Sequence, residues 1–290
     1  MLFFGDFLSE ILLKAYKKQN PQGKVYIKLD INPYAIRTKF WEYPFDWLIN
    51  NIIRRKYFSL VNVASCETQL AYDKIVSGRI RHRKFGSKLV LAPNGVDEEE
   101  IKMMGFDKPE FSQQDNIILT VGRLGTYEKK TEMLLDAIAK LKLRDWKIYM
   151  IGPVDERFTC KKESFMRTHP DLAESVVWTG AITNRQGLYG LLNKSKVFVL
   201  TSRFESYGLV LIEAHRFGNY MISTQVGAAH EIINDTYGQI VPSGDSKQLA
   251  DSLQGVIDNK TVLNDVYNHF EYEKLSWENR LRKVVEALSQ

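Results

Sequence analysis

The stretch KVFVLTSRFESYGLVLIEA, residues 196–214, holds a strand, a loop and a helix in one run. Its first seven residues form a short apolar segment rich in valine, the pattern of a buried strand. Gly208 and the loop before it read as a helix start, after which Leu209, Val210, Leu211, Ile212 and Ala214 surround one acidic residue, Glu213. At helical spacing Glu213 falls on the stripe between Leu209 and Phe217. That face is expected to be buried, and an isolated buried carboxylate is costly, so Glu213 is expected to have a partner.

The same strand-then-helix rhythm extends outward along most of the chain. Strand-like runs occur at residues 24–30 (KVYIKLD), 60–66 (LVNVASC) and 88–94 (KLVLAPN). Six more follow at 117–121, 147–152, 176–180, 196–202, 219–225 and 237–242, each connection carrying a plausible helix. Alternation of this kind predicts an α/β fold with parallel sheets. The second half reads as a complete doubly wound sheet, with a ligand crevice at the carboxyl ends of its strands. A softer segment at 104–116 is the candidate linker, and residues from Glu278 to Ser289 form a final helix after Trp277.

Composition narrows the function classes. The 290 residues are 44% hydrophobic and 26% charged, ample for one large or two medium domains. A net charge of +5 suits anionic ligands or an anionic membrane surface, and is too small to imply nucleic-acid binding. Cys66 and Cys160 lie far apart, without metal-ligand spacing, and read as reduced thiols of a cytoplasmic protein. The N-terminal apolar run is interrupted by Asp6, Glu10 and Lys14, which makes it an amphipathic helix rather than a membrane span. Residues 36–58 mix Phe40, Trp41, Phe45 and Trp47 with Arg37, Lys39, Arg54, Arg55 and Lys56. Such a segment either docks at an anionic bilayer or packs on the core with its basic ends in water.

Several chemistries are excluded by pattern. No G-x-G occurs, and no G-x-x-x-x-G-K-[ST], so dinucleotide and P-loop fingerprints are absent. There is no D-x-D to bridge a divalent ion to a diphosphate, and His82, His169, His215, His230 and His269 form no metal-ligand set, so no metal is expected. What remains is an anion site. Gly122 and Arg123 end a strand, Lys129 lies in the loop that follows, and Glu205 precedes the helix start at Gly208. Two cations beside leading helix amides suit a phosphate or diphosphate. Surface loops also carry Arg and Lys without function, and the two glutamates could be a helix-dipole carboxylate and a Glu tied to a structural Arg. An ionised carboxylate would also accept two hydrogen bonds from a ribose diol. Nearby cations are expected to lower the pKa of Glu205 and Glu213, against a glycosidase acid role.

Taken together, KVYIKLD, PNGVD at 93–97, VGRL with its downstream lysine, WTGAI, LTSRFESYGLVLIEA, STQVGAAHEII and LSWEN resemble glycosyltransferase family 4, retaining nucleotide-sugar enzymes of the GT-B fold. Glu205 and Glu213 reproduce that family's E-x7-E spacing. The resemblance runs from about residue 24 onward and implies two Rossmann-like domains: 1–108 on the acceptor side, 109–270 for the nucleotide sugar, and 271–290 as a helix packing back on the first. It implies that Arg123 and Lys129 hold the donor diphosphate, that Glu205 contacts the donor sugar and that Glu213 binds the ribose. Gly122 would sit beside them. Ser206, Tyr207, Gly208 and Leu209 would present helix-start backbone, with Gly180 and Ala181 beside the base. The implied reaction needs no cofactor beyond the donor and serves a glycan or lipid-linked acceptor, at the inner face of the membrane. Two departures bear on the acceptor side: family members open with a strand ending in a Gly-rich loop, which this sequence starts after, and Asp30 stands where many relatives carry His. The first domain is therefore expected to be truncated, and the chain to be either a transferase or a nucleotide-sugar-binding module needing a missing segment or partner.

Overall fold

The structure is a computed structural model and describes residues 2–3, 7–36, 55–77, 81–261, 263, 267 and 270–290. Residues 37–54, most of the basic aromatic segment, lie outside the described residues. The chain divides into two units: Met1–Gly95 with Ser276–Gln290, and Val96–Leu275.

Unit 1 holds a parallel sheet in the order β1-β2-β3-β4, formed by Leu2–Phe3, Tyr26–Leu29, Val63–Cys66 and Leu89–Leu91. The amphipathic helix expected near the N-terminus runs Phe7–Gln19 and buries Leu13 in a core with Ile27, Leu29, Phe58, Ile75 and Phe85. The final helix, Trp277–Ser289, starts with Ser276 accepting a hydrogen bond from the Asn279 N–H. It lays Val284 against Val63 and Ala92 within the same unit.

Unit 2 is a six-stranded parallel sheet of β5 (Asp115–Val121), β6 (Lys147–Ile151), β7 (Val176–Gly180), β8 (Ser195–Leu200), β9 (Tyr220–Thr224) and β10 (Gly238–Val241), ordered β10-β9-β8-β5-β6-β7. Both faces are covered, which explains why its strands read as unbroken apolar runs. Along β8, Val197 and Val199 enter one core with Ile118, Ile148 and Leu134, while Phe198 and Leu200 enter the other with Leu119, Leu211 and Phe217.

Residues 96–108, assigned to the first domain from sequence, lie in unit 2, as does the candidate linker at 104–116. The reason is packing. The helix Glu98–Met103 buries Ile101, and Glu98 forms a two-pronged ion pair with Arg216 at 2.6 and 2.7 Å. Phe106 sets its ring edge-on to Tyr189 and Phe217, and the Gln114 amide donates to the Phe217 carbonyl.

Candidate functional site

Strand order reverses between β5 and β8, so their carboxyl-terminal loops leave the sheet side by side at the switch point. The loop after β5 carries Gly122 to Lys130, and the loop after β8 carries Thr201 to Gly208. Thr201 fastens them by donating to the carbonyls of Lys129 and Lys130, and the Arg203 N–H donates to the Glu128 carbonyl at 2.7 Å.

Lys129 and Glu205 meet across this join, Nζ to Oε1, at 2.5 Å. Ser202 donates a second hydrogen bond to the same Glu205 oxygen at 2.7 Å. Neither charged side chain is deeply buried; the pair is 20% and 16% exposed, enough for a ligand to reach it. Gly122 lies directly under Lys129, where a Cβ would come within 3.1 Å of the lysine stem. Arg123 shares the loop, but its side chain is exposed and makes no ion pair among the described residues.

Both helices that begin here lack a side-chain cap. Thr131–Ile138 follows Lys130 at φ 45°, and Leu209–Arg216 follows Gly208 at φ 89°. By contrast Asn184 and Asp245 cap the helices at 185–194 and 246–257. The Leu211 N–H donates to the Gly208 carbonyl at 2.8 Å, and the amides of Leu209 and Val210, not taken by a capping side chain, are left to an anion. Ser206 is half-buried and Tyr207 buried, with the Tyr207 carbonyl accepting from the Ala228 N–H. Leu209, expected to be buried, is 55% exposed because it stands at the helix's first turn, beyond the core that holds Leu211 and Ile212.

On the other wing, Gly152 after β6 donates its N–H to the Gly180 carbonyl at the end of β7. Gly152 has φ 132°, and a Cβ there would lie 1.8 Å from the Gly122 carbonyl oxygen, so this close approach of three loops requires glycine. Ala181 follows, exposed.

Glu213 has the partner that its position demanded. Arg185, from the helix Arg185–Lys194, brings a guanidinium nitrogen to 3.6 Å from Glu213 Oε1. Arg185 also donates to the Tyr189 hydroxyl, and both groups favour the charged form of Glu213. The expectation that nearby charge would lower the Glu213 pKa is corrected: burial raises it, and Arg185 and Tyr189 offset that only in part. A raised carboxyl pKa means that the folded state holds the proton more tightly, so the associated stability is present in acid and is lost as pH rises through the folded value. Glu213→Gln should therefore raise the urea midpoint at neutral pH and lose that advantage below the usual carboxylate range; an equal gain at both pH values would contradict this.

Sequence reasoning missed Arg185 and Ser202 as partners of the glutamates; only the i, i+4 spacing of Arg185 and Tyr189 was visible. It also missed a buried ion pair in unit 1, Lys28 with Glu67, at the carboxyl ends of β2 and β3. Burial pushes Glu67 up, Lys28 opposes this, and the exposed Asp30 adds to the rise. His215 is packed among Tyr237, Tyr267 and Phe270 with its Nδ1 3.0 Å from the Tyr267 hydroxyl, a structural setting. Among the described residues no three His, Cys, Asp or Glu side chains cluster as metal ligands. Among the same residues no helix is long and apolar enough to cross a membrane.

Residues 115–259, half of the chain, match the family model described as glycosyl transferases group 1. Similar proteins include O-antigen chain mannosyltransferase C of Escherichia coli, 26% identical over 213 residues, which cover 71% of this chain and 52% of the relative. Another is the phosphatidyl-myo-inositol mannosyltransferase of Mycobacterium leprae (strain TN), 28% identical over 190 residues, covering 63% of this chain and 48% of the relative. The chain thus spans about half the length of these curated relatives. The fold is shared with the lipopolysaccharide outer core galactosyltransferase WaaB in its apo form, at TM-score 0.66 and 17% identity over 98% of this chain and 73% of that one. It is shared equally with Anabaena HepE in complex with UDP and glucose, at TM-score 0.66 and 14% identity over 99% and 77%.

Proposed function

Because the chain belongs to the glycosyl transferases group 1 family, we propose that it moves a sugar from a nucleoside-diphosphate donor to a hydroxyl of a glycan or lipid-linked acceptor. The transfer retains anomeric configuration and uses no metal ion. The observation that carries this reading is the Lys129–Glu205 contact at 2.5 Å, which joins the two switch-point loops beside an uncapped helix start. A cation, helix amides without a side-chain cap and a carboxylate that accepts hydrogen bonds from hydroxyls, all in one place, match the parts of a sugar diphosphate.

In this reading Lys129 and Arg123 meet the diphosphate, together with the backbone of Ser206, Tyr207, Gly208 and Leu209. Glu205 would accept hydrogen bonds from the donor sugar and Glu213 from the ribose, while Gly180 and Ala181 border the base. As the sugar leaves, negative charge grows on the diphosphate, and fixed positive groups there lower the barrier without reorganising. A phosphate oxygen of the leaving group then takes the acceptor proton, so no protein nucleophile is needed. The relatives named as mannosyltransferases and the UDP and glucose bound to HepE support the donor class. The acceptor class would put the reaction in cell-surface polysaccharide synthesis at the cytoplasmic face of a membrane.

A thermal-shift panel of UDP, GDP, ADP and their sugars tests the reading. The matching nucleotide at about 100 times its dissociation constant should add roughly 2.7 kcal/mol of stability. Absence of any shift across the panel would remove the proposal. A shift without product from any acceptor would leave a donor-binding module.

A further inference from the structure

Arg185 is the one guanidinium that the structure sets against Glu213 among the described residues, and it does so by two routes. Directly, its terminal nitrogen stands 3.6 Å from Glu213 Oε1, an ion-pair distance longer than a hydrogen bond. Indirectly, it donates to the Tyr189 hydroxyl, which in turn favours the charged form of Glu213. A hydroxyl that accepts from a guanidinium is polarised by it, and so favours a nearby carboxylate more than an isolated tyrosine would. Arg185 and Tyr189 lie one turn apart on the helix Arg185–Lys194, and Tyr189 is fully packed at 1% exposure, which fixes the geometry of the relay. A third group, Glu100 from the helix Glu98–Met103, faces Arg185 at 3.8 Å and competes for the same charge.

We propose that Arg185 is a positioning residue for the nucleoside: directly and through the Tyr189 hydroxyl, it orients the Glu213 carboxylate and keeps it ionised as a two-point acceptor for a ribose diol. This rests on the reading of Glu213 given above. Geometry explains why a partner is needed. Burial makes the charged form of this carboxylate costlier and so moves its pKa up, and a neutral carboxyl would offer one acceptor fewer to the diol. Arg185 is itself 54% exposed, so it supplies charge without being locked into the core. The long ion-pair distance leaves the carboxylate's remaining acceptor positions open to ligand hydroxyls.

The test compares UDP, GDP and ADP with their 2′,3′-dideoxy forms by titration calorimetry, from neutral pH down to about pH 5. The ratio of the two affinities isolates the diol. In the wild-type protein the ratio should be about tenfold, the low end of what charge-assisted hydrogen bonds contribute, and should fall as acid protonates Glu213. In Arg185→Met and in Tyr189→Phe that fall should occur at higher pH; in Glu100→Gln, which frees Arg185 for Glu213, at lower pH. Opposite movements are not produced by a merely structural role. Arg185→Met with the wild-type ratio at every pH would overturn the inference alone. Glu213→Gln with the wild-type ratio would overturn the ribose reading and this inference with it.

Discussion

Replacing Glu98 with alanine should lower the unfolding free energy by about 3–5 kcal/mol, the cost of breaking a buried ion pair on one side. Arg216 is 1% exposed, and its guanidinium receives two hydrogen-bond acceptors from Glu98, at 2.6 and 2.7 Å, plus the Asp107 carbonyl at 3.3 Å. It also lies over the rings of Phe217 and Tyr272. Without Glu98 that charge stays buried with a single carbonyl as acceptor. The paired change Glu98→Leu with Arg216→Met should recover most of the loss, because two apolar groups remove both desolvation costs together. Urea titration measures both variants. A single-variant loss under about 1 kcal/mol would mean that water reaches Arg216, as at an exposed pair.

If the chain transfers sugar as proposed, Lys129→Met should leave the fold intact and lower turnover by about 100- to 1000-fold, equal to the roughly 2.7–4 kcal/mol that one preorganised group contributes to a developing anion. The fold tolerates the change because Glu205 keeps its hydrogen bond from Ser202 and the lysine is not buried in the core. Binding of the donor should weaken less than turnover falls, since charge on the diphosphate increases as the sugar departs. Single-turnover assays alongside nucleotide titration separate the two. Unchanged turnover would move the reacting centre away from the switch point.

Much of this was readable from residues in order along the chain. β5 and β8 were evident as apolar runs because both their faces are covered, and the helix after Gly208 was evident from the loop and apolar run around it. The E-x7-E spacing put two carboxylates on one loop and helix without any knowledge of depth. What escaped was either too short or too distant. β1 is two residues long and hides in a run with helical character. Arg185 lies 28 positions before Glu213, and Glu98 lies 118 before Arg216, so neither partnership leaves a local periodicity. The direction of the Glu213 shift depended on burial, which a list of neighbouring charges does not contain.

The Val96 N–H donates to the Leu275 carbonyl at 2.9 Å, so unit 2 begins and ends at adjacent backbone groups. A segment whose two ends touch behaves topologically as a cassette: it can be lifted from its host, closed with a short Gly-Ser bridge and reopened at an exposed turn elsewhere. Circular permutants of residues 96–275 are therefore geometrically accessible, and they offer a way to test the proposed donor site in a free-standing unit.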